Sequence, residues 1–447
     1  MKTVSIAALL ATAYGSAVDA SPGSDLASAG GTIIYQQGVP SALTALGKGA
    51  LTSIDFSLPR PVLEPGETFG NAVAVSGNLV AVATRSEALV GRVFLFRREG
   101  DAFVEDGSVF AVSDSTSCTP DLRLSISNSL VFISSPREPD TPQPELCPSP
   151  DFREGVVFVA AKCPSGEWTL AGQIFPDGLT SQQSTAFGAA VGFSDDLMAV
   201  GSPADGDGAV RIFELPTPFE LDCDGDVRIE PTLVREVDRL LPPASGKGSA
   251  TSRFGQALDF RRGKLVVGAP GGVGQATAGS AHLFELVAGN LSSTGDPIVS
   301  SGSSADDQFG FSVAIDGDTV AIGAPGQDQG NGAAYAFGFR SRQETFIPPP
   351  IGSTGAAFGF DVAFYEQALI VSAPFFVPPG GKSQRKGALV RVDLAKGTAA
   401  VDQLRSAEDL SADLATLAAG VPESDSGLGD VLITLDTELL FGVGFER

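Results

Sequence analysis

The sequence predicts an all-β protein, a seven-bladed β-propeller of four-stranded blades closed by pairing of the chain ends. Three observations carry that expectation. The 447 residues include 54 Gly and 30 Pro with short apolar runs between them, which reads as strands and turns rather than helices. A pair of short motifs recurs along the chain at one fixed spacing. A glycine then opens an apolar run after each recurrence.

Four copies of the pattern are plain. Phe187-Gly188 leads to Gly201-Ser202-Pro203, and Phe254-Gly255 to Gly268-Ala269-Pro270. Phe309-Gly310 leads to Gly323-Ala324-Pro325, and Phe358-Gly359 to Ser372-Ala373-Pro374. In each, the Phe and the first triplet residue are 14 positions apart. The same ruler finds three degenerate copies: Phe69-Gly70 to Ala83-Thr84-Arg85, Pro120-Asp121 to Ser134-Ser135-Pro136, and Ser406-Ala407 to Gly420-Val421-Pro422. Gly91, Gly155, Gly208, Gly279, Gly332, Gly387 and Gly429 follow the seven triplets and open runs such as VFLF, VRIF and AYAF.

The period, roughly 50 to 65 residues, is that of a four-stranded blade. The fifth copy shows the expected anatomy. Phe311 to Ile315 make a first strand, Asp316-Gly317-Asp318 a tight turn, and Thr319 to Gly323 a second strand. Pro325 ends it, because proline cannot donate to the ladder. A polar loop, 326–331, leads to a third strand, Ala333 to Phe337, and Gln343 to Ile347 make the outer fourth. The Phe of each copy is read as a wedge between blades, and its Gly as a point of close backbone approach. At the ends, Ser53 to Leu58 is expected to complete a blade whose other strands come from Leu410 to Leu435, with Leu439 to Phe445 as the rival strand. Closure removes exposed sheet edges.

The alternation of Phe-Gly with Gly-Ala-Pro resembles the FG-GAP repeat, the unit of the integrin α-chain seven-bladed propeller and of many exported bacterial proteins. The resemblance covers about residues 50–447 and is strongest over 309–337. It implies adhesion to an extracellular ligand. Calcium-binding members carry a longer D-x-D-x-D-G loop between the two motifs. Here that connection is Ser76-Gly77-Asn78, Ser194-Asp195-Asp196, Arg261-Arg262-Gly263 or Asp316-Gly317-Asp318, too short to supply the roughly six to eight oxygens calcium takes. The family's calcium sites are therefore not carried over.

Composition narrows the function. The net charge is −24, with 53 acidic against 29 basic side chains, which argues against nucleic-acid binding. One histidine, His282, excludes His-rich metal sites and argues against Ser-His-Asp or Cys-His catalysis; it reads as a packed strand residue. Carboxylates abound, but nothing in the sequence pairs two of them as a glycosidase requires. Arg261-Arg262 and Arg385-Lys386 read as solvated turn residues, and Trp168 as the start of an outer strand. Asn290-Leu291-Ser292 is a glycosylation acceptor only in a eukaryotic source.

Residues 1–20 read as a secretory signal, with Lys2 before the apolar stretch Thr3 to Tyr14, and residues 21–50 as a mobile leader ahead of the propeller at 51–447. The protein is thus expected to be secreted, periplasmic or at the cell surface, without membrane insertion. Four cysteines in an oxidising compartment suggest two disulfides. Blade topology puts Cys118 and Cys147 on one face and Cys163 and Cys223 in hairpins of adjacent blades on the other, which pairs them in that way.

One calcium candidate remains. Asp222, Asp224 and Asp226 alternate in LDCDGDV with Gly225 between, a pattern that can converge on one ion. No glutamate stands where an EF-hand loop would need it, and an acidic solvated hairpin tip is the other reading. Asp205 and Asp207 form a second candidate on the opposite face. Otherwise no cofactor is expected. The expectation for function is a non-enzymatic binding or adhesion module for an extracellular protein or glycan. It would bind through loops on one face: 137–154, 204–207, 271–278 and 375–386. The alternatives are a polysaccharide hydrolase or lyase and a structural cell-surface component.

Overall fold

The computed structural model describes residues 53–59, 61–63, 67–86, 91–99, 102–110, 122–127, 130–136, 155–176, 185–215, 234–242, 252–271, 278–302, 304–350, 354–365, 368–377, 387–403, 409–412, 416–421 and 430–436. The signal, the leader and the rival strand 439–445 lie outside them.

The first described strand is β1, Ser53–Ser57. Six blades of four consecutive antiparallel strands follow. The first is β2 Glu67–Ser76, β3 Leu79–Ser86, β4 Arg92–Glu99 and β5 Ala102–Phe110; the second is β6 Arg123–Ser127, β7 Leu130–Ser135, β8 Val156–Lys162 and β9 Trp168–Ile174. The third is β10 Val191–Ser194, β11 Leu197–Ser202, β12 Ala209–Glu214 and β13 Arg235–Leu240; the fourth is β14 Ala257–Arg261, β15 Lys264–Ala269, β16 Ser280–Val287 and β17 Asn290–Ser293. The fifth is β18 Val313–Asp316, β19 Thr319–Ala324, β20 Ala333–Gly338 and β21 Glu344–Ile347; the sixth is β22 Val362–Tyr365, β23 Ala368–Ala373, β24 Ala388–Asp393 and β25 Thr398–Gln403. The last strands, β26 Asp409–Ala412, β27 Thr416–Val421 and β28 Asp430–Asp436, form a composite sheet in the order β1-β28-β27-β26. In it Ser53 stands opposite Asp436 and Ser57 opposite Leu432. The fold is an all-β propeller.

The second strand of each blade is buried almost throughout, as in β7, β19 and β23, because neighbouring blades cover both its faces. Apolar clusters fill the joints between consecutive blades. Phe187 packs with Phe132 and Val159 of the second blade and Met198 and Phe213 of the third. Phe254 is enclosed by Ala199 and Ile212 before it and Val267 and Phe284 after it. Phe309 and Phe358 repeat the arrangement at the next two joints. All four rings are fully buried, so they are wedges.

The glycines explain why the wedges seat so closely. A Cβ on Gly208 would lie 2.2 Å from the Phe254 carbonyl oxygen, on Gly279 2.2 Å from that of Phe309, and on Gly332 2.1 Å from that of Phe358. Gly201, Gly268 and Gly323, the first triplet residues, meet the carbonyls of Gly255, Gly310 and Gly359 at 2.0 Å in the same way. The amides of Phe254, Phe309 and Phe358 donate across the joint to the carbonyls of Asp207, Ala278 and Asn331.

The first strand of the fifth blade starts at Val313, two residues later than expected. Phe311 and Ser312 belong instead to the turn around Phe-Gly, where the Phe311 amide donates back to the Gln308 carbonyl at 3.0 Å. The residue before the Phe adopts positive φ in four blades: Ala186 (52°), Arg253 (55°), Gln308 (57°) and Ala357 (52°). Non-glycine residues rarely adopt that conformation, so docking of the following Phe-Gly imposes it.

Trp168 begins β9 and donates its indole N–H to Asp106 of β5 at 3.0 Å. Lys162 and Arg97 also bond this carboxylate. Burial alone would push the Asp106 pKa up, but these three donors hold it below the usual carboxylate range. The first two blades are thus clamped at their outer edge by polar contacts.

Gly208→Ala is expected to cost at least ~2 kcal/mol, since the new methyl group meets backbone at positive φ. Gly302→Ala, with open space around it, should be neutral. Chemical denaturation of both variants checks the pair.

His282 lies in β16, packed edge-on against Phe254 at 5.0 Å, with Ser280 Oγ 3.1 Å from Nε2. Burial lowers its pKa from 6.5 to about 4. The folded state therefore binds the proton less readily than the unfolded chain. Its contribution is present above pH 6.5 and is lost as the pH falls towards 4, by about 3 kcal/mol. Stability curves at pH 7 and pH 4.5 should converge for His282→Gln relative to the parent. Equal pH dependence in the two proteins would contradict this.

Candidate functional site

The loops between second and third strands lie on the face where the innermost strands begin. In four consecutive blades the amide that opens the loop donates to the segment just ahead of the same blade's Phe-Gly: Ala204 to Thr185, Gly271 to Ser252, Gly326 to Asp307 and Phe375 to Ala356, at 3.0–3.2 Å. Loop and blade-to-blade connector are therefore tied together around one rim.

Of the expected binding loops, 204–207 is described completely. Gly271 and Ala278 are described at the ends of the second, and Phe375 to Val377 at the start of the third; 137–154 lies outside the described residues. Asp205, expected as a possible cation ligand, is occupied otherwise. Its Oδ2 accepts from Arg211 at 3.0 Å and from Arg239 at 2.8 Å, and Arg211 also bonds both oxygens of Glu236. The Asp207 carbonyl accepts from Phe254 and Ser252. Asp205 thus fixes the loop to its own blade, and Asp207 ties it to the next. Among the described residues no group of three or more His, Cys, Asp or Glu could hold a metal. Asp222, Asp224 and Asp226 lie outside the described residues, as do Cys118, Cys147, Cys223, Arg385 and Lys386.

Arg261 pairs with Asp259 at 3.0 Å, and Arg262 is exposed in a turn at the other end of the innermost strand. Asn290 is exposed in the outer strand β17.

The innermost strands β2, β6, β10, β14, β18 and β22 line a cavity of about 350 Å³. Its carboxylates serve the blade joints. Asp259 Oδ2 accepts from the Ile315 amide at 2.9 Å, and Asp361 Oδ2 from the Leu410 amide at 2.7 Å. The Ser125 hydroxyl donates to the Val191 carbonyl and the Ser312 hydroxyl to the Gly359 carbonyl, so a belt of polar contacts links neighbouring blades. At the loop-face end stand Arg85, opposite Thr68 at the start of β2, and Arg123, the first residue of β6. Phe311 and Phe360 stand just ahead of β18 and β22, with ring centroids 5.2 Å apart.

Sequence reasoning passed over these four. Two signals were there: Arg85 stands where six other triplets carry Pro, and Phe311 and Phe360 follow Phe-Gly where other copies have Asn71, Ala189 or Gln256. Among the described residues, no helix is long and apolar enough to cross a membrane.

A comparison with curated proteins finds no match. Among solved structures, the chain is similar to a chain of the mitotic checkpoint complex at 11% identity and a TM-score of 0.48, covering 89% of this chain and 98% of that one. It is also similar to Saccharomyces cerevisiae Sqt1 at 11% identity and a TM-score of 0.45, covering 86% and 85%. Likenesses this loose say nothing about function. The FG-GAP repeat family matches residues 296–337, the segment holding Phe309-Gly310 and Gly323-Ala324-Pro325. The match falls on one of the repeats whose motifs build the blade joints, so the chain carries an FG-GAP repeat within a β-propeller.

Proposed function

We propose that the protein is an exported, non-enzymatic binding or adhesion module that recognises an extracellular protein or glycan through its loop face. The observation that carries this reading is the recurring bond from loop to connector, which holds loops of differing length on one rigid rim. The channel carboxylates Asp259 and Asp361 are engaged by backbone amides, which favours binding over acid–base chemistry. Glycan and protein arrays check the reading. Binding should appear without polysaccharide turnover and should weaken at least tenfold when residues 379–384 are replaced by Gly-Gly. Turnover abolished by Asp259→Asn or Asp361→Asn would establish the hydrolase or lyase alternative instead.

Two features of the scaffold belong to the same proposal. The composite sheet acts as a closing seventh blade. In support, Phe69 packs with Ala418 and Val431 on one side of that sheet, and Leu417 and Ala419 pack with Tyr365 and Leu389 on the other. The cysteines pair as Cys118–Cys147 and Cys163–Cys223, in keeping with an exported protein. Cys163 is buried in the β8–β9 hairpin, and among the described residues no cysteine is a free thiol. Removing residues 1–57 should lower the melting temperature by opening the β28 edge. Non-reducing peptide mapping should join Cys163 to Cys223. An unchanged melting temperature would count against closure, and a Cys118–Cys223 peptide against the pairing.

A further inference from the structure

The chain carries a large acidic surplus, yet the lining of its channel holds three arginines against two aspartates. Both aspartates already accept backbone amides from the next blade, and Asp259 also holds Arg261 at the far end. At the loop-face end of the lining the charged side chains are both cations. Arg123 is exposed there, and Arg85, which has its own contacts, adds to the same field.

The two cations come from the first and second blades. The half-buried rings of Phe311 and Phe360 come from the fifth and sixth, on the other side of the channel. Phe375, 6.5 Å from Phe360, extends the aromatic surface towards the loop at 375–377. Two phenylalanines at a wet mouth are not wedges; the wedge rings are the fully buried Phe309 and Phe358 beside them.

A flat apolar surface opposed by a guanidinium, in a space of about 350 Å³, describes one ligand chemistry. We infer that the loop-face mouth of the channel binds an acidic sugar residue. Its carboxylate pairs with Arg123, and its apolar ring face lies against Phe311 and Phe360. This deepens the loop-face binding reading and rests on it. A charge-assisted guanidinium–carboxylate contact supplies selectivity that the stacking surface lacks.

The test uses the full exported chain and two probes, a trisaccharide of galacturonic acid and the neutral trisaccharide of galactose, titrated by calorimetry. The acidic probe should bind at least tenfold more tightly. Arg123→Gln should remove that preference, leaving weak binding of both probes. Phe311→Leu should weaken both about equally, with an unchanged melting temperature showing that the ring is intact. Arg262→Gln, at the other end of the strands, should change nothing. Equal affinity for the two probes, binding of neither, or a preference that survives Arg123→Gln would overturn the inference. Array binding that depends on the 379–384 loop but not on Arg123 would leave the loop-face reading standing while this one fails.

Discussion

The propeller depends on carbonyl oxygens pressed against glycine Cα atoms at the joint between blades. The Phe and Gly that open one blade present their carbonyls to the glycine that opens the third strand of the preceding blade and to its triplet glycine. There is no room for a methyl group at either place. The two motifs of one repeat are therefore halves of two different joints. Triplet glycines 201, 268 and 323 each precede a copy with intact Phe-Gly, whereas Ala83 and Ser372 precede Pro120-Asp121 and Ser406-Ala407, where it is lost. Gly420 precedes Phe69-Gly70 around the proposed closure. Ser134, ahead of Phe187-Gly188, departs from the rule. There a Cβ on Gly188 would come within 2.8 Å of the Ser134 Cβ, so the second motif residue must still be glycine, as at the other joints.

This joint is where fold and function connect. Because close backbone packing and buried Phe wedges hold the ring, the loops need not. In the third to sixth blades a single bond from loop to connector then sets where the loop leaves the rim, and length and composition beyond it are free to vary. The channel follows the same logic. Its carboxylates and serines are spent on linking neighbouring blades, so the residues left facing solvent at the mouth, Arg123, Phe311 and Phe360, are those that packing does not explain.

Much of the fold was legible because the joint is local in sequence. The two motifs start 14 positions apart in every copy, and the paired strands and their turn lie between. The positive φ ahead of each Phe was not legible, since Ala186, Arg253, Gln308 and Ala357 share no side-chain chemistry; docking imposes the backbone conformation. The channel mouth was hidden for a related reason. Arg85, Arg123, Phe311 and Phe360 are far apart in the chain and meet only through the circular order of blades. Asp205 shows the opposite failure. Its spacing from Asp207 suggested a cation site, but Arg211 and Arg239, brought in by β12 and β13, already neutralise it.

Native-state hydrogen exchange of the whole chain tests the central role of the joint most directly. The cross-joint amides of Phe254, Phe309 and Phe358 should exchange only with global unfolding. Amides of the innermost strands flanking the joints without Phe-Gly, between the first and second blades and between the sixth blade and the composite sheet, should open first. Uniform protection around the ring, or earliest opening at the three Phe-Gly joints, would contradict the account.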